Sequence, residues 1–152
     1  MQFIDRLAAE WGLMDVRPNT GETRLAIAAF EDRFRLSLPA EVRAFYERFN
    51  GLLDMDSDLN RFWSIGELAA VPAALDSDFR GIAAHLPHAD EYFAFADHSI
   101  SVFIYAVRLA KDSSTSGPVV CIAGGDSFDK MADTFADFWD RYLATPGRIL
   151  LP

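Results

Sequence analysis

The chain has 152 residues, 51% of them apolar and 13% aromatic, enough to bury one hydrophobic core without staples and too apolar for a disordered chain. Its formal charge is −9, from 23 acids against 14 bases, with 13 acids and 8 bases in residues 1–76 and 10 and 6 in residues 77–152. Negative charge spread this way repels nucleic-acid phosphates and anionic membranes; it suits a basic protein partner, or it serves solubility alone.

In chain order, Phe3 to Trp11 places Ile4, Leu7 and Trp11 on one helical face. Pro18-Asn19-Thr20-Gly21 interrupts, and a second helix from about Glu22 repeats the spacing with Ile27, Phe30 and Phe34. Leu38-Pro39 opens a third helix, proline suiting its first turn, with Val42, Phe45, Tyr46 and Phe49 inward. Asn50-Gly51 reads as its left-handed stop. Arg61 to Ile65 is a short strand, Gly66-Glu67-Leu68 begins a helical turn, and Pro72 to Pro87 is an irregular connection.

The period then changes to two. Tyr92–Ala96 and Ile100–Val107 are two strands joined across Asp97-His98-Ser99, and Val119–Ala123 is a third after a serine-rich loop. Gly124-Gly125 ends it, Asp126 or Ser127 caps a last helix, and Phe128, Met131, Phe135, Phe138 and Tyr142 form that helix's apolar stripe beside Trp139. The fold class expected is α+β: one domain over residues 1–152, a central antiparallel meander flanked by N-terminal helices and a C-terminal helix.

The lone cysteine, Cys121, excludes an internal disulfide, points to a reducing compartment, and lies in an apolar strand run. Charges among Met1 to Arg6 argue against a signal peptide, and no apolar stretch is long enough to span a membrane. The location expected is cytoplasmic.

The order Ile27-x3-Glu31, Leu38-Pro39, Phe49-Asn50-Gly51 and Phe62-Trp63-Ser64-Ile65-Gly66-Glu67-Leu68, followed by an aromatic strand, two more strands and an aromatic helix, resembles the SUKH superfamily. That superfamily includes the yeast cell-wall regulator and many bacterial immunity proteins. The likeness spans about Glu22 to Tyr142; the helix at Phe3–Trp11 is a local addition, and His98-Ser99 stands in a turn where members often carry glycine. The resemblance implies a binding module without catalytic residues, many bacterial members neutralising a toxin by occupying it. Such toxins are often basic nucleases or other nucleic-acid-modifying enzymes. An intracellular adaptor binding an endogenous protein is the alternative.

Chemistry finds little footing. Asp54-Met55-Asp56-Ser57-Asp58 starts like a calcium loop, but Leu59 stands where the turn needs glycine and Ile65 where a bidentate glutamate belongs. His85-Leu86-Pro87-His88 near Asp90 and Glu91 has a proline between its histidines and no third histidine or cysteine close by. His98 reads as a surface turn residue. Gly124-Gly125-Asp126-Ser127 lacks a Walker lysine, and Asp126 would repel an anion. No metal, cofactor or catalytic residue is assigned. Glu31 reads as structural, bonding backbone or Arg33/Arg35. The partner-binding patch expected is Asp54, Asp56 and Asp58 with adjoining Trp63, extended by Asp76 and Asp78, Trp63 being equally suited to the core.

Overall fold

Apolar residues at helical spacing build the layer above the sheet. In the computed structural model, which describes residues 2–74 and 81–145, α1 (Gln2–Leu13) turns Ile4, Leu7 and Trp11 inward. Helix α2 (Arg24–Phe34) starts at Thr23, whose hydroxyl accepts from the Ala26 N–H, and stops at Arg35 in the left-handed conformation. Helix α3 (Ala40–Arg48) buries Val42, Phe45 and Tyr46, with Pro39 as its N-cap and not its first helical residue. Glu31 joins α2 to α3: it accepts from the Leu38 N–H at 2.6 Å and from Arg43 at 2.5 Å, so its structural role uses Arg43 rather than Arg33 or Arg35.

The Asn50-Gly51 pair does not end a helix. It lies in β2 (Phe49–Leu52), which pairs antiparallel with β1 (Pro18–Thr20), the segment expected to be a plain interruption. Gly51 has φ +70°, and a Cβ there would come within 2.5 Å of the Trp63 backbone, so any side chain would collide with the next strand. Asn50 accepts from the Ile65 N–H and donates to Glu22 at 2.8 Å each, tying β2 to the turn beyond that strand.

The main sheet follows. Strand β3 (Asn60–Phe62), β4 (Ala69–Ala70), β5 (Tyr92–His98), β6 (Phe103–Arg108), β7 (Val119–Ile122) and β8 (Phe128–Ala132) form an antiparallel sheet in the order β3-β5-β6-β7-β8, with β4 also on β5. Short helices α4 (Val71–Ala74) and α5 (Ile82–His85) and a 3-10 turn at Ala89–Glu91 interrupt the connection into β5. Strand β8 replaces the first turn expected of the last helix. Gly124-Gly125 sits in a hairpin closed by Ala123 N–H to the Ser127 carbonyl, and α6 (Phe135–Ala144) begins later, capped by Thr134.

Alternation along the strands divides the sheet between two cores. Phe62, Phe93, Tyr105, Val107 and Cys121 face the helices, where Trp11, Phe45, Phe138 and Trp139 close the larger core. The Phe45 and Trp139 rings stack at 4.9 Å. Tyr92, Ala94, Ile104, Ala106 and Val120 face the other way, against Val71, Ile82 and Leu86. At Phe95 the β5–β6 register slips by one residue, and Phe95 and Ala96 both reach the helix side.

Candidate functional site

The loop from Leu53 to Leu59 joins β2 to β3 at one end of the sheet, and three of its carboxylates were expected to form one acidic surface. Asp54 is exposed and Asp58 half-buried, but Asp56 is only 5% exposed. One Asp56 oxygen accepts from the Asp58 and Asn60 N–H groups at 2.9 Å each; the other accepts from the Tyr142 hydroxyl at 2.7 Å. That hydroxyl in turn accepts from the Trp11 indole at 3.1 Å. A single carboxylate thus ties the loop to α1 and α6. Asp56 is a folding residue, and the expected solvated patch does not include it.

Trp63 is half-buried and packs against both cores, so it is neither a free surface anchor nor a fully enclosed core residue. Its indole N–H donates to Asp97 at 2.6 Å. Asp97, itself buried, also accepts from the Ser101 N–H at 3.2 Å and lies 3.7 Å from the Arg61 guanidinium. Arg61 pairs with Glu67, which accepts from the Ser64 N–H and hydroxyl. Burial pushes the Glu67 carboxyl upward, but the hydrogen bonds from Ser64 and Arg61 and the charge of Arg61 outweigh it and hold the group below its ordinary range. His98, expected on the surface, is half-buried with Nδ1 3.1 Å from the Asn60 Oδ1.

Two shallow clefts flank the loop. One, of about 280 Å³, lies between the loop and the end of α1 and is lined by Asp15, Arg17, Asp54 and Met55. The other, of about 260 Å³, is lined by Leu53, Asp54, Met55, Arg61 and Ile100. Asp54 borders both. Asp76 and Asp78 lie outside the described residues.

The remaining candidate groups are not brought together. His85 and His88 are exposed, Asp90 is exposed, and Glu91 pairs with Arg108 at 2.7 Å. Among the described residues no group of three or more His, Cys, Asp or Glu side chains is placed to hold a metal ion. Gly124-Gly125 precedes a strand, so the helix N-terminus considered for phosphate is not formed there. Cys121 is buried in β7, and burial, with Asp129 adding to it, pushes its thiol up to about 12. No helix among the described residues is long and apolar enough to cross a membrane.

The profile of the SMI1 / KNR4 family (SUKH-1) matches residues 21–141. The chain belongs to this family. No curated protein matches it. The SUKH family includes toxin immunity proteins and regulators, and its domains interact with proteins. The residues that carried the sequence resemblance are framework in this SUKH domain: Glu31, Asn50, Gly51 and Glu67 each hold backbone or pass it closely. Sequence reasoning put Asp97 in the join between two strands and began the second at Ile100; Asp97 instead lies in β5, and the turn falls at residues 99–102. The cross-strand reach of Asp97 to Trp63 depends on β3–β5 register, which no local pattern reveals.

Proposed function

We propose that this SUKH-family chain is a non-catalytic protein-binding module that acts as an immunity protein, neutralising a cognate toxin by occupying it. Membership of the family carries the reading, since its domains interact with proteins and toxin immunity proteins are among them. The formal charge of −9 supports a basic toxin domain as the partner, because opposite fields accelerate encounter. Asp54, Asp58 and the accessible side of Trp63 are the proposed contacts, with Asp76 and Asp78 extending them. The site of action proposed is the cytoplasm, with no cofactor taking part.

The test is capture of the tagged protein from its own cells, identification of what remains bound, and co-expression of the two genes in a naive host. A basic protein that stops growth alone and is silenced by this chain establishes the reading. An endogenous housekeeping partner with no toxicity replaces it with the regulatory adaptor, the other kind of member that the family contains.

A further inference from the structure

Among the described residues, seven large apolar side chains are left exposed, and five of them lie in two loops at one end of the sheet: Leu53, Met55 and Leu59 in the β2–β3 loop, Ile100 and Val102 in the β5–β6 turn. The loops are joined, the Ser99 N–H donating to the Leu59 carbonyl at 2.9 Å. Leu53 is 74% and Ile100 80% exposed, and both line the same cleft. Scattered exposed apolar groups need no account, but a cluster of this kind marks an interaction surface.

The backbone points the same way. Ser99, Ile100 and Ser101 have φ of 52°, 57° and 63°, three consecutive residues in the left-handed region, and Leu59 has φ 66°. A β-branched residue is a poor occupant of that region, where glycine or asparagine would relax the chain. The turn is held by its own Val102 N–H on the His98 carbonyl at 3.1 Å, by Asp97 on the Ser101 N–H and by the Leu59 carbonyl on the Ser99 N–H. Ile100 therefore sits in a disfavoured conformation and exposes its side chain to water, gaining nothing inside the fold. Such a breach of local preference is expected where a residue serves a contact outside the molecule.

The charged rim selects the occupant. Asp15, Asp54 and the buried Asp97 line the two clefts together with Arg17 and Arg61; Arg17 lies 3.5 Å from Asp15, and Arg61 is paired both with Asp97 and with Glu67 beyond the cleft. The rim is net negative, and so is the chain. A second copy would bring like charges together. We infer that the end of the sheet formed by residues 53–59 and 99–102 docks a cationic protein surface that presents an apolar side chain to Leu53, Met55 and Ile100. This rests on the reading of the chain as a protein-binding module and adds the place and the partner chemistry.

The test uses the full ¹⁵N-labelled chain and a defined probe: a cyclic peptide with a Leu-Phe pair set among lysines. One control replaces its lysines by glutamates, another its Leu-Phe pair by serines. Amide shifts confined to residues 53–59 and 99–102, seen with the first peptide alone, are expected. Ile100→Gly should weaken that binding at least ten-fold while raising Tm, because glycine relaxes the turn; a residue of structural value only would not separate the two. Shifts elsewhere, equal response to the glutamate peptide, no response at all, unchanged affinity in Ile100→Gly, or self-association through this end in sedimentation would each overturn the inference. A toxin that binds while leaving these amides unmoved overturns the surface and keeps the immunity reading. Lysine-peptide docking here with no toxin neutralised does the reverse.

Discussion

Asp56 and Asp54 are two residues apart and do opposite things. Asp56→Ala would remove the acceptor of the Tyr142 hydroxyl and of the Asp58 and Asn60 N–H groups, so urea unfolding should show a loss of about 3 kcal/mol. Asp54→Lys, at an exposed position, should stay within about 0.5 kcal/mol. Local sequence could not separate them, because alternating carboxylates in a loop look the same whether solvated or buried. What decides it is Tyr142, 86 positions along the chain. Glu67 supplies a test by pH. Its folded pKa lies below the ordinary value of 4.5, so its contribution to stability is fully present above that value and disappears as pH falls through the folded pKa. The stability difference between wild type and Glu67→Gln should be constant from pH 7 to about 6 and shrink below 4.5; a difference that does not change with pH would reject the assignment.

Among elements, those with long periodic stretches were legible. Ile4, Leu7 and Trp11 announced α1, a helix with one buried face, and the aromatic run Tyr92–Ala96 announced β5, a strand buried on both faces. Strand β8 was not. Phe128 and Met131 stand three apart, which suits a helix as well as a short edge strand, and Gly-Gly serves a hairpin as readily as a helix entry. The capping contacts now distinguish the two. Thr134→Ala should lower stability by about 1 kcal/mol, since its hydroxyl accepts from the Asp137 N–H, whereas Asp126→Ala should change the melting free energy by less than about 0.5 kcal/mol. Likewise Asn50-Gly51 obeyed helix-stop chemistry in sequence, yet its side chain and its missing Cβ serve a strand crossing that only the fold reveals.

For the whole molecule, fold class was readable because composition and two hydrophobic periods decide it, while the binding surface was readable only as charge. The acidic field acts over a Debye length, so it belongs to the molecule rather than to any one aspartate. With a basic partner, the association rate should fall by an order of magnitude or more between 10 and 300 mM salt, while dissociation changes little; stopped-flow mixing checks this, and a rate indifferent to salt would assign the charge to solubility. The apolar end of the sheet lay hidden for a plain reason. Leu53, Met55 and Leu59 are separated from Ile100 and Val102 by some forty residues and meet only through strand pairing.

The three tryptophans have a practical use. Trp11 and Trp139 are sealed in the aromatic core, while Trp63 is half-buried and one hydrogen bond from the cleft that Ile100 lines. The protein therefore carries its own optical probe. Acrylamide should quench one emitting component and spare a bluer remainder. Relative to free tryptophan, caesium should quench that same component more effectively than iodide does, because the chain's net charge of −9 gathers cations and excludes anions. Trp63→Phe should abolish the quenchable fraction. Titrating any partner while watching this one indole would then report occupancy of the cleft without a label.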